Sequence, residues 1–293
     1  MQRKIVVPII LFVVMAGFQT CQRGHRQAKD AVVSASILPV QYFVDRLTDA
    51  TLEVNVMVRP GASHATYAPT TSQFQKLSDS GIYFRIGHLG YEQAFIHRLS
   101  ALNPGMLVVD LSDGVDLIRG EAVDHGDHVH EGGIDPHIWM SPAVMLSRLP
   151  VIREAILEIY PWLSAVVDKR YDELYADIEE IHHSLAALAG ELEHKSFMIF
   201  HPALTYIARD YGFEQIPIER HGKEPSPALL AHIIRDARAR DVSLIFVQQE
   251  FDVRSAQVIS EETGATLVQI NPMAYDWKEG LEHIMNVFKT HLR

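Results

Sequence analysis

The chain has a single cysteine, Cys21, in 293 residues, so no disulfide can form within it. It is also short of positive charge, with 26 Lys and Arg against 37 Asp and Glu and a formal net charge of −11. That excess of acid makes nucleic acid and anionic lipid surfaces poor partners. Nor is there an apolar run long enough to span a bilayer, which takes roughly 20 residues. The run Ile5–Phe18 falls short of that. Internal repeats are missing, and so is any His-Glu-x-x-His stretch, the simplest mark of a zinc hydrolase.

What is present begins at that short run. Arg3 and Lys4 precede it and Cys21 follows, the basic-then-apolar order of an export signal. We expect residues 1–20 to be a signal peptide, Cys21 to become a lipid-modified N-terminus, and 21–30 to form a polar tether. Release without lipid is the alternative, because Phe18-Gln19-Thr20 lacks the small residues typical of a lipoprotein cleavage site.

The rest of the chain is organised around Pro161–His194. Its apolar residues Leu163, Val167, Tyr171, Leu174, Ile178, Ile181, Leu185, Leu188 and Leu192 recur every three or four positions, one face of a long α-helix. Pro161 suits the first turn, where its missing N–H is not needed. At 1.5 Å per residue such a rod runs to about 50 Å. No other stretch of matching length exists to pair with it as a coiled coil, so it reads as a bridge between two bodies. With 47% hydrophobic residues, the chain can bury two cores of ordinary domain size.

Four β-rich runs precede the bridge, Val32–Ile37, Leu52–Val58, Gly81–Ile86 and Met106–Leu111, and four follow it, Ser196–Phe200, Glu214–Ile218, Ser243–Gln248 and Thr266–Ile270. Helical stretches alternate with them, among them Pro39–Thr48, Tyr91–Leu102, Ala203–Tyr211, Ala228–Arg240, Ser255–Thr263 and Lys278–Leu292. This alternation predicts parallel sheets in two α/β lobes, 31–159 and 195–293, joined by a linking helix over 160–194. Ala122–Asp135, polar and rich in Gly and His, reads as a loop.

Ligands gather at the carboxyl ends of strands in open α/β sheets. That rule selects His64, His88 and His201 from the sixteen histidines, and adds His137 in the rigid turn Asp135-Pro136-His137-Ile138-Trp139. The histidines of helices read as surface residues. Any one strand-end histidine reads as a hydrogen-bonded structural residue. Several from two lobes facing one cleft read as metal ligands, since imidazole is the commonest ligand of a borderline metal.

Five motifs then occur in order: Ser36-Ile37-Leu38-Pro39, Pro60-Gly61-Ala62-Ser63 through Tyr67-Ala68-Pro69-Thr70, Asp135-Pro136-His137-Ile138-Trp139, His201-Pro202-Ala203, and Lys223-Glu224-Pro225-Ser226-Pro227. From about Ala31 onward the chain resembles the metal-binding subunits of ABC importers for zinc and manganese. The resemblance implies two Rossmann-like lobes with parallel sheets, a long rigid helix between them and a metal in the cleft. It implies a non-enzymatic carrier, monomeric, that delivers Zn2+ outside the cytoplasmic membrane to a permease and its ATPase. His137 and His201 match the family's second and third ligands, and histidine at the third position favours zinc. Two departures stand out. The family's first ligand follows Ser-Pro, whereas here His64 stands at the proline's place and Ala65 at the ligand's. Either His64 reaches the metal or His88 replaces it. The family's last ligand, an aspartate before proline, is here Asn271, so Glu250 is the fourth candidate with Asn271 as alternative; a glutamate near Phe246 is replaced by Gln248. His125, His128 and His130 form either an auxiliary zinc-collecting loop or a plain solvated one. The rivals are a manganese or iron carrier, a zinc hydrolase using Glu250 as base, and a metal-dependent adhesin.

Overall fold

The computed structural model describes residues 31–95, 103–120, 123–124, 129–130, 133–219 and 224–292. The expected signal, tether and Cys21 lie outside these residues, as do His125, His128 and the second half of the predicted helix Tyr91–Leu102.

All eight predicted strands are found, each within two residues at either end. In the N-terminal lobe β1 (Val32–Ala35), β2 (Glu53–Val56), β3 (Ile82–Arg85) and β4 (Leu107–Asp110) form a parallel sheet in the order β2-β1-β3-β4. A short antiparallel ladder follows, β5 (Val123–Asp124) with β6 (Val129–His130), inside the segment expected to be loop. In the C-terminal lobe β7 (Ser196–Ile199), β8 (Glu214–Pro217), β9 (Leu244–Gln248) and β10 (Thr266–Ile270) are parallel in the order β10-β9-β7-β8. Both lobes therefore share one plan: the first strand lies inside, flanked by the second and the third. That reversal of winding opens a crevice at the strands' carboxyl ends.

The helices are α1 (Leu38–Thr48), α2 (Thr71–Asp79), α3 (Pro142–Ile159), α4 (Ser164–Glu191), α5 (Thr205–Tyr211), α6 (Pro227–Ala239), α7 (Arg254–Thr263) and α8 (Trp277–His291). Their starts follow local chemistry. Thr70 and Gln73 make a reciprocal capping box on α2, and the side chains of Ser141, Ser226 and Asp276 accept the free N–H groups of α3, α6 and α8. Helices α5 and α7 stop at Gly212 and Gly264, whose positive φ of 72° and 77° suits a residue without Cβ.

The bridge is shorter than its periodicity predicts. Pro161–Leu163 forms a 3-10 turn, and α4 runs for 28 residues, about 42 Å. It ends at Gly190-Glu191, where glycine is a poor helix former, while Leu192 just beyond still packs on the core. Its buried stripe, Val167, Leu174, Ile178, Ile181, Leu185 and Ala189, packs on α1 and α3 of the first lobe and on α8 of the second.

The lobes do not have separate interiors. One apolar cluster runs from Ala31 through α4 to Leu292 and takes in Phe197, Phe246 and Phe288 on one face of the second sheet. Strand alternation sends Met198, Ile245 and Val247 to the other face, under Ile233, Ala237, Ala256 and Ile259. Two indoles stitch the lobes beneath the cleft. Trp139 Nε1–H donates to the Pro272 carbonyl at 2.9 Å, and Trp277 Nε1–H donates to the Trp139 carbonyl at 2.7 Å. Asp177 of α4 also pairs with Arg46 from α1 at 2.7 Å and Lys278 from α8 at 2.8 Å. Partly exposed pairs of this kind contribute at most about 1 kcal/mol. The shared core and the indole bonds therefore set the angle between the lobes.

Phe288 is fully buried against Phe197, Phe213 and Phe246. Phe288→Ala should destabilise the protein by about 3–5 kcal/mol in urea unfolding. Trp162→Ala, at a ring 46% exposed, should cost less than about 1 kcal/mol. Equal effects would show that Phe288 is not part of a packed core.

Candidate metal site

His64 leaves the first lobe on the loop after β2. Gln73 pins that loop's start by donating to the carbonyls of Val56 at 2.7 Å and Met57 at 3.0 Å. The chain then turns at Gly61 (φ 73°), and a second turn, closed by Tyr67 N–H on the Ser63 carbonyl at 3.0 Å, swings His64 inward to 4% exposure. His137 comes from the segment before α3. Asp135 Oδ1 accepts from its backbone N–H at 2.9 Å and from its Nδ1–H at 2.8 Å, and the side chain is buried. His201 follows β7 at the crevice of the second lobe. Its Nδ1–H donates to Glu219 Oε1 at 2.8 Å, and its ring stacks on Phe251 with centroids 5.2 Å apart. Gln248 at the end of β9 accepts from its N–H at 3.2 Å and donates to its carbonyl at 2.6 Å.

The three rings meet. Their centroids are 4.7 Å (His64–His137), 5.1 Å (His137–His201) and 5.3 Å (His64–His201) apart. One nitrogen of each lies within 4.8 Å of the others, the one such group among the described residues. Tetrahedral zinc with nitrogens at 2.0–2.1 Å needs a spacing of roughly 3.3 Å, inside that limit. His64 Nδ1, His137 Nε2 and His201 Nε2 are buried with no hydrogen-bond partner.

Protonation follows from the surroundings. Burial, then the neighbouring His137 and His201, hold His64 well below the usual imidazole range. Burial also lowers His137, against the pull of Asp135. Burial works to raise Asp135, but the His137 ring and its hydrogen bonds outweigh it, and the carboxylate stays ionised. An ionised Asp135 takes the Nδ1 proton, which leaves the Nε2 lone pair of His137 free, and the hydrogen bond to Glu219 orients the His201 ring in the same way. The arrangement brings three imidazole nitrogens together, with burial disfavouring the charged forms of His64 and His137.

His88 is not part of it. Just past β3, Gly87 (φ 103°) packs on Asp110 and Ser112, and His88 lies among Asp110, Arg85 and Asp113. Glu250 is half-buried and close enough to His201 to feel its charge, while burial raises its pKa. It stands outside the three-nitrogen group. Asn271 turns its oxygen onto Met273 N–H at 3.1 Å, an Asx turn. The strand-end rule, applied only to histidines, passed over Glu219; the same rule finds it two residues beyond β8. Asp135 was visible only as part of a motif.

The profile of the zinc-uptake complex component A, periplasmic, family matches residues 33–291. The chain belongs to this family. It is 23% identical over 300 residues to the zinc-binding lipoprotein AdcA of Streptococcus pneumoniae, covering 98% of this chain and 60% of that protein. It thus spans well under two thirds of that relative's length. The high-affinity zinc uptake system protein ZnuA of Bacillus subtilis is 24% identical over 250 residues, covering 82% of this chain and 78% of that one. A crystal structure of ZnuA superposes with a TM-score of 0.80 at 29% identity, over 89% of this chain and 98% of that one. His64, which the turn closed by Ser63 and Tyr67 carries inward, is part of the three-histidine group.

Acid should loosen the metal-free protein through these rings. His64 and His137 have folded pKa values below the unfolded 6.5, so below that pH the unfolded chain binds more protons and stability falls. Urea midpoints should drop from pH 7 to 5, and the His64→Gln/His137→Gln double variant should drop less steeply. Glu250, with its raised pKa, acts in the opposite sense and is retained in both proteins. Identical slopes would mean the rings are not buried as neutral groups.

Proposed function

We propose that this chain captures Zn2+ outside the cytoplasmic membrane and hands it to the permease and ATPase of an ABC importer. The observation that carries the reading is the convergence of three buried, unpartnered imidazole nitrogens drawn from both lobes. A polar atom buried without a partner costs about 1–3 kcal/mol, and a bound cation is what would offset three at once. All-imidazole donors suit zinc, whereas manganese prefers carboxylate and carbonyl oxygen. His64, His137 and His201 are then the protein ligands, and Glu250 is the candidate for a fourth. Support from elsewhere in the chain is consistent: the export signal over 1–20, the lipid site at Cys21 and the tether over 21–30 would hold a monomer at the membrane. His125, His128 and His130 would extend the site with a collecting loop. The shared core limits cleft closure, so the change on binding is expected to be small.

In zinc calorimetry His137→Ala and His201→Ala should each weaken binding by at least about 100-fold, more than the 10–100-fold typical of losing an outer partner such as Asp135 or Glu219. His64→Ala should weaken it as much, and His88→Ala by less than about twofold. Wild-type affinity in both His137→Ala and His201→Ala would overturn the site, and tighter binding of Mn2+ than Zn2+ in direct competition would overturn the metal.

Zinc should also stabilise the fold, since its ligands meet only in the native state. At a free concentration of a hundred times Kd the gain is about 2.7 kcal/mol. A melting temperature unmoved by such a concentration would count against a specific site.

A further inference from the structure

The two strand-end loops that face each other across the cleft are joined by a phenol. Tyr206 lies on α5, one turn beyond the His201 loop, and is fully buried. Its hydroxyl donates to the Asp135 carbonyl at 2.9 Å and accepts from Ile118 N–H at 3.2 Å. Those two backbone groups belong to the foot of a ladder in the other lobe. There Asp135 N–H donates to the Ile118 carbonyl at 2.9 Å, Gly120 N–H donates to the Gly133 carbonyl at 2.8 Å, and Arg119 bridges Ile134. Arg209, one turn further along α5, stacks its guanidinium 4.9 Å from the Tyr206 ring and reaches the Asp116 carbonyl, so the phenol is held from behind. The residue it grips is the one whose carboxylate takes both the backbone N–H and the Nδ1–H of His137.

We propose that Tyr206 is a positioning residue for the metal site, by which the lobe that carries His201 sets the place and tautomer of His137 on the opposite lobe. A hydrogen bond made by a second lobe to the peptide of Asp135 fixes that carboxylate relative to His201 rather than relative to its own sheet alone. His137 and His201 then form a pair assembled before metal arrives, which His64 completes. The inference rests on the zinc reading for its affinity arm only.

Tyr206→Phe removes the hydroxyl oxygen and keeps the ring in its packing. In metal-free protein labelled with 15N at histidine, wild-type His137 should show the Nδ1–H tautomer alone, and the variant a mixture of the two. Zinc Kd should rise about tenfold, the low end of what losing an outer partner costs. In double-variant cycles on zinc Kd, the effect of Tyr206→Phe should largely vanish in an Asp135→Asn background and persist in full in Glu219→Gln, because only residues acting through one another couple. An unchanged His137 tautomer together with a Kd within twofold of wild type would overturn the proposal, and so would full additivity with Asp135→Asn. If the wild-type chain binds no zinc, the proposed function falls, while the tautomer measurement, which needs no metal, still decides the role of Tyr206.

Discussion

Three lone pairs in a buried cleft repel one another and find no donor, and the fold has to hold them there. Left free, each ring would turn to a backbone group or to water, as buried polar atoms almost always do. What prevents this is the rigidity of the two lobes relative to each other. Because one apolar cluster runs through both lobes and the linking helix, an imidazole on the loop after β7 cannot drift from one on the loop before α3 without opening that core. The indole bonds of Trp139 and Trp277 cross the lobe boundary close to the rings they support, with Trp139 centred 5.1 Å from His137.

Within that frame the three histidines are held by different means. His137 and His201 are each oriented by a carboxylate on Nδ1, which fixes ring angle and tautomer and makes the free nitrogen more basic toward a metal. His64 has no hydrogen-bonded partner of this kind among the described residues and is kept in place by burial against Trp139 and the two other rings. Burial and both neighbouring rings lower the His64 pKa, against the weaker pull of Asp135. Burial disfavours the charged forms of His64 and His137, which makes those two rings poor sites for a proton.

Much of this was legible in the residues. The long helix showed in the spacing of Val167, Leu174, Ile178, Ile181 and Leu185, all of which are buried as expected. Its ends were not legible. Leu192 satisfies the pattern and packs on the core, yet the helix has already stopped at Glu191, because the period marks which residues are buried and not where the helix ends. The choice between His64 and His88 was open for a similar reason. Both follow strands, and only the structure, with the turn closed by Ser63 and Tyr67 after β2 and Gly87 packed on Asp110 and Ser112 after β3, decides that His64 joins the three-histidine group and His88 does not. Gln248 shows the converse: in the sequence it stood only as a replaced glutamate, whereas its amide both donates to and accepts from the His201 backbone, which an ionised carboxylate cannot do.

The sequence by itself determined the class of fold, the division into two lobes about a helix, and the kinds of side chain available at the strand ends. These follow from short-range periodicity, which each segment carries alone. Only the tertiary structure decided which of those side chains meet. The partners of His137 and His201 come from two sheets and the loops beyond them, and their meeting depends on crossover paths and lobe angle, set by packing between segments far apart in the chain. Tyr206 has no local mark that separates it from any other tyrosine, and Glu219 is marked only by its place just past a strand end. Their roles arise from position in space, where one carboxylate lies 2.8 Å from a ring nitrogen and one phenol 2.9 Å from a carbonyl of the opposite lobe.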